Sequence, residues 1–145
     1  MKALIQRVKK AQVKVNEKTI GQIDQGVLAL IGVEKSDTQE NADKLLNKIC
    51  NYRIFSDSED KMNLSLQDIN GGLLLVSQFT LVANTQKGLR PSFSSAASPM
   101  LSTELYDYLI QQARKTNLHI QTGQFAANMQ INLINDGPVT FNLQC

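Results

Sequence analysis

Val27-Leu28-Ala29-Leu30-Ile31-Gly32-Val33 is apolar along its whole length, so a strand formed there presents hydrophobic groups on both faces. Side chains alternate across a strand, and only a strand covered on both sides can bury such a run. A second buried run, Leu73-Leu74-Leu75-Val76-Ser77-Gln78-Phe79, follows Gly71-Gly72. Between them, Ala42, Leu45, Leu46 and Ile49 recur at three- and four-residue steps, which predicts one helix with a single buried stripe. Asp37 is its expected cap, with Glu40 three residues on. Residues 2–9 and 12–24 read as flanking strands, with Val13 and Val15 on one face. A second helix opens at Ser102 or Thr103 and buries Leu105, Tyr108, Leu109 and Ala113. The C-terminal third alternates again through His119-Ile120, Met129 to Ile134 and Val139 to Phe141. Strands, helix, strand, helix, strands is the order of an α+β fold, expected as one domain over residues 1–145.

A chain of 145 residues is long enough to bury roughly 70% of its unfolded surface. No apolar stretch reaches the ~20 residues that span a bilayer, and Met1-Lys2-Ala3-Leu4-Ile5 runs directly into a strand pattern without a signal-peptide core. A cytoplasmic protein with no membrane contact is the expectation. Cys50 and Cys145 are expected as free thiols, and their spacing matches no zinc site. The acidic string Ser56-Asp57-Ser58-Glu59-Asp60 lacks the glycine and later glutamate of a calcium loop, so it reads as solvated; neither metal nor cofactor is expected. Net charge is only +2, yet Lys2, Arg7, Lys9, Lys10, Lys14 and Lys18 crowd the first eighteen residues against Glu17 alone. That run is either a solvated strand face or a patch that meets phosphates.

The usual catalytic side chains are scarce. Ser77-Gln78-Phe79-Thr80-Leu81 places small hydroxyl and amide groups at the end of a buried run, but a threonine hydroxyl needs a base to become a nucleophile, and His119 is the only histidine. Ser77 and Thr80 either end a strand or line a site built from backbone groups. Asn135-Asp136-Gly137-Pro138-Val139-Thr140 contains a Gly-Pro step that fixes a bend and admits close approach by another molecule. It is an ordinary turn or a cis bond. Gly123, Phe125, Ala127 and Met129 alternate as core packing or as an apolar pocket floor. Lys87-Gly88-Leu89-Arg90-Pro91-Ser92-Phe93 sets two cations and an aromatic ring in a long loop from Asn84 to Pro99, where a phosphate and a base can be held.

Taken together, Ile5-Gln6-Arg7-Val8, the Ser77-to-Leu81 string, the Lys87-to-Phe93 loop, Gly123-x-Phe125-x-Ala127-x-Met129 and Asn135-x-Gly137-Pro138-x-Thr140 resemble the D-aminoacyl-tRNA deacylases nearly end to end. The Ser-Gln-Phe-Thr-Leu string sides with the D-specific group rather than with a sister family acting on L-alanine. The resemblance implies a mixed, barrel-like sheet with two main helices. It implies a homodimer that hydrolyses the ester between a D-amino acid, or glycine, and the terminal adenosine of tRNA. Gly137-Pro138 would enter the partner's pocket as a Gly-cisPro dipeptide and exclude L side chains. Ser77, Gln78, Phe79 and Thr80 would line the catalytic side, the amides of Phe79 and Thr80 stabilising the oxyanion while the tRNA 2′-hydroxyl organises the water. Phe125 and Met129 would floor the pocket, and Lys87, Arg90 and Phe93 would help hold the adenosine. Ala126 and Asn128 depart from the glycine and acidic residue common there. A non-enzymatic RNA-binding module, or a hydrolase of free metabolites, are the competing readings.

Overall fold

The computed structural model of the chain describes residues 1–86 and 88–145. One mixed sheet organises it. The strands are β1 (Lys2–Val15), β2 (Lys18–Ile23), β3 (Gly26–Gly32), β6 (Gly72–Ser77), β7 (His119–Thr122) and β8 (Gln130–Gln144), with β4 (Phe55–Ser56) and β5 (Met62–Leu64) forming a separate small hairpin. The order is β2-β1-β3-β6-β7, and β8 lies along the other edge of β1. The β3/β6 and β6/β7 pairs are parallel; β1 pairs antiparallel with β2, β3 and β8. The sheet curls until β2 meets β7, where a Cβ on Gly21 would lie 2.8 Å from the Thr122 carbonyl. Only glycine permits that approach, and it nearly closes a barrel. The α+β, barrel-like expectation holds.

The two apolar runs divide their side chains as strand alternation requires. Val27, Ala29 and Ile31 of β3, with Leu73 and Leu75 of β6, face the helices α1 (Gln39–Asn51) and α2 (Pro99–Ala113). Leu28, Leu74 and Val76 face the barrel interior, where they meet Val8, Ala11, Val13 and Ile23. Each buried CH₂ contributes about 0.8 kcal/mol, so these two clusters dominate the favourable side of folding.

The helices bury the expected stripes but begin elsewhere. Thr38, not Asp37, caps α1: its amide donates to the Asn41 side-chain carbonyl at 2.9 Å. The Asp37 carboxylate is occupied instead by the Met1 α-amino group and the Glu34 amide. Helix α2 starts at Pro99, ahead of the expected Ser102 or Thr103. Proline lacks only an amide that the first turn leaves unused, and the Ser98 hydroxyl accepts from the Leu101 amide at 3.3 Å. Tyr108 is half-buried, its hydroxyl donating to Asp43; Tyr106 takes the core position and donates to the Leu75 carbonyl at 2.8 Å.

Strand bounds differ as well. The expected break after residue 9 does not occur, because β1 runs to Val15 and turns at Asn16-Glu17, with φ of 48° and 65°. The second buried run ends at Ser77; Phe79 is 62% exposed and opens a 3-10 helix, Phe79–Val82. The two alternating C-terminal segments are one strand, β8, with an extrusion. Between the pairs Val8↔Asn135 and Gln6↔Thr140, Arg7 alone stands opposite Asp136, Gly137, Pro138 and Val139.

Candidate active site

A cavity of about 600 Å³ opens where β3 and β6 end, between the start of α2 and the segment joining β7 to β8. Phe125, Ala127 and Met129 form part of its wall, so the alternating set is a turn rather than a strand, with Ala126 at φ 58°. The Tyr106 ring backs Phe125 with centroids 6.0 Å apart. Ser77, Gln78 and Phe79 line the opposite side.

That side is shaped by the end of β6. The Gln78 amide donates to the Ile31 carbonyl at 2.7 Å, tying the chain to β3 before it turns into the 3-10 helix. The Gln78 side-chain nitrogen donates to the Thr80 hydroxyl at 2.6 Å. The first amide of this turn with a backbone acceptor is Leu81, bonded to the Gln78 carbonyl at 3.3 Å. The Phe79 and Thr80 amides have no acceptor among the described residues. Thr80 itself is exposed and outside the cavity wall.

The long loop folds back over this rim. Asn84 and Ser92 exchange backbone hydrogen bonds, and the Ser95 hydroxyl donates to the Val82 carbonyl. Phe93 thereby stacks against Phe79, with centroids 5.2 Å apart and planes inclined by 49°. Arg90 is exposed on the same loop. Lys87 lies outside the described residues.

Gly137 and Pro138 do not line this cavity in the same chain. Their peptide bond is cis, and both residues are exposed. Gly137 has φ 131°, a value closed to residues with a Cβ. The extrusion is held from below by Arg7, expected only as part of the cationic run, and by Asn135 and Thr140, to which no role was assigned. Arg7 donates from Nε to the Asp136 carbonyl at 3.0 Å and from Nη1 to the Ile54 carbonyl at 2.7 Å. Asn135 accepts from the Val139 amide and donates to the Thr140 hydroxyl, both at 2.9 Å. The signal was present: Arg7 is the one arginine in a run of lysines, and Asn135 and Thr140 bracket the Gly-Pro step.

No carboxylate, histidine, lysine or cysteine lines the cavity among the described residues. His119 borders a separate groove with Gly72 and Gln25. Burial pushes the Cys50 thiol up to about 11 and raises the Tyr106 phenol as well, so neither ionises near neutrality. A side-chain nucleophile paired with a base is therefore not assembled here. What the wall offers is apolar surface, amide and hydroxyl groups, and the unpaired backbone N–H of Phe79, followed just outside it by that of Thr80.

Comparison with known proteins accords with this geometry. A family model described as D-Tyr-tRNA(Tyr) deacylase matches residues 4–144. A D-aminoacyl-tRNA deacylase of Pseudoalteromonas translucida (strain TAC 125) is 62% identical over 143 residues, covering 99% of each sequence. The solved c-Myc DNA unwinding element binding protein has a TM-score of 0.95 at 37% identity, covering 100% of this chain and 99% of that one. A probable eukaryotic D-amino acid tRNA deacylase, 17% identical, shares the fold with a TM-score of 0.83 over 98% of both chains. On the span of that family match and the identity of its relatives, the chain belongs to the D-Tyr-tRNA(Tyr) deacylase family.

Proposed function

We propose that this protein hydrolyses the ester of D-aminoacyl-tRNA, releasing a free D-amino acid and tRNA. The observation that carries the reading is a cavity lined by Phe79, with no acid-base pair among the described residues, next to the unengaged Phe79 and Thr80 amides. An aminoacyl ester is already activated. Water adds to its carbonyl, the bond to the ribose 3′-oxygen breaks, and that oxygen takes a proton, with the neighbouring 2′-hydroxyl organising the water. The protein's part is to hold the ester and stabilise the oxyanion; one such donor is worth ~3 kcal/mol in a water-excluded site. Phe125 and Met129 receive the amino acid beside Ser77 and Gln78, and Phe79, Phe93, Arg90 and Lys87 hold the terminal adenosine.

Handedness is assigned to Gly137 and Pro138 of a second copy. In one chain the dipeptide projects into solvent, away from its own cavity. At its β1–β3 end the sheet face opposite the helices is less covered: Leu4 and Leu30, paired across β1 and β3, stay half-buried there beside exposed Thr140 and Asn142. A homodimer formed on this face buries them and brings each dipeptide to the partner's cavity. Its carbonyls accept from the substrate amino group and leave no space for an L side chain. Glycine has no side chain to reject, so glycyl-tRNA is also a substrate. The working unit spans residues 1–145 and acts in the cytoplasm, where aminoacyl-tRNA is found. No helix of the described residues is long and apolar enough to cross a membrane.

Incubation with D-tyrosyl-tRNA and L-tyrosyl-tRNA tests the reading. Release of tyrosine from the D substrate alone is expected. Binding of both without turnover identifies an RNA-binding module instead.

A further inference from the structure

Six cations occupy the first eighteen residues, and three are engaged internally. Lys2 pairs with Glu34 at 3.1 Å, while Arg7 and Lys9 share Asp136 at 3.5 and 3.8 Å. Lys10, Lys14 and Lys18 form no ion pair among the described residues. Because Ala11 and Val13 point into the barrel core, Lys10, Gln12 and Lys14 share the outer face of β1. The register sets Gln22 of β2 and Asn132 of β8 beside Gln12, and Thr19 and Gln130 beside Lys14. Lys10 is exposed, and Gln12 and Lys14 are half-buried. Asp24 lies at the Lys10 end of this face and Glu17 in the turn.

We propose that this outer face of β1, β2 and β8 docks the double-stranded stem adjoining the 3′ end of the RNA substrate. The inference rests on the deacylase reading for the identity of the RNA. Two observations choose the partner. Unneutralised lysines about 13 Å apart along one strand complement a phosphate backbone. The Gln and Asn amides between them both donate and accept, as the 2′-hydroxyls exposed in the shallow groove of an RNA duplex do. Position agrees: Gln130, the partner of Lys14, directly follows Met129 of the cavity wall. An RNA with its end in the cavity therefore has its stem beside this face.

The test uses an uncharged minihelix comprising an acceptor stem and its CCA end, with D-tyrosyl-adenosine as a substrate that has no stem. For the variant Lys10→Gln/Lys14→Gln we expect minihelix binding weakened at least about fivefold. Its slope of log K against log salt should become shallower by about 1 to 2, near one per phosphate contact. The variant Lys10→Arg/Lys14→Arg should keep both, and hydrolysis of D-tyrosyl-adenosine should be unaltered by either pair of changes. Unchanged minihelix affinity and slope overturn the proposal, as does an equal loss on D-tyrosyl-adenosine. If the unaltered protein binds the minihelix in a lysine-dependent way but hydrolyses neither substrate, the deacylase reading fails and the docking face stands.

Discussion

At the scale of single residues, the chemistry assigned to the cavity depends on what its wall lacks. A bell-shaped rate profile reports an acid and a base within reach of the substrate. Among the described residues the wall holds no side chain that titrates near neutrality: burial keeps Tyr106 protonated, and His119 borders another groove. The expected profile of log kcat therefore rises with pH between about 5.5 and 8 without a maximum. A bell centred in that interval would identify a protein acid-base pair and remove the main-chain mechanism. Thr80 gives a sharper test. Its hydroxyl is held by Gln78, outside the cavity wall, while its amide is unengaged. Thr80→Ala keeps that amide, so kcat should stay within about tenfold, equivalent to ~1.4 kcal/mol of barrier. Near-complete loss with an unchanged melting temperature would make the hydroxyl the nucleophile.

Elements extend these contacts into stability. Ser98 caps the helix whose first turn borders the cavity, so Ser98→Ala should lower stability by ~1 kcal/mol in urea unfolding. An unchanged midpoint would mean that the hydroxyl leaves the Leu101 amide to water at no cost. The β4–β5 hairpin and the turn after it carry a pH dependence. The Asn63 side chain, then the Lys61 and Glu59 amides, hold the Asp57 carboxyl below its usual value; the Ser65 hydroxyl and amide do the same for Asp68. Both groups have folded values below the unfolded value of 3.8, so the unfolded chain binds protons first. Their contribution is complete above that value and is lost as pH falls through the folded ones. Unfolding midpoints between about pH 6 and 3 should flatten in Asp57→Asn/Asp68→Asn; an identical pH dependence in the variant would place acid sensitivity elsewhere. The sequence disclosed the helices through periodicity, which local spacing carries in full. It misplaced their starts and the Tyr106 position because those depend on distant partners: Asp37 is taken by Met1 and Glu34, and Tyr106 by the Leu75 carbonyl. The Asn16-Glu17 turn was hidden because it uses positive φ without a glycine. The candidate residues were legible as motifs, whereas the grip of Arg7 on the Asp136 carbonyl, across 129 positions of sequence, exists only in three dimensions.

On the scale of the whole molecule, the proposed homodimer, with each dipeptide outside its own cavity, would make handedness a property of the pair of subunits. That arrangement separates from a same-chain one by placing two lesions on different subunits. Pro138→Ala should weaken rejection of L-tyrosyl-tRNA, where each tenfold loss corresponds to ~1.4 kcal/mol of discrimination. Ala127→Trp should fill the cavity and abolish turnover. In a mixed dimer with one lesion per subunit, the open cavity belongs to the Pro138→Ala chain, and across the interface it meets the intact dipeptide of the other. The mixed dimer should therefore regain the selectivity of the unaltered protein while turning over at about half its rate, since one cavity of two is open. With both lesions in one subunit, the remaining open cavity faces the altered dipeptide, and selectivity should be that of the Pro138→Ala homodimer. A mixed dimer that stays as unselective as the Pro138→Ala homodimer when the lesions are on different subunits would assign the dipeptide to its own chain, and the reading of a shared site would fall.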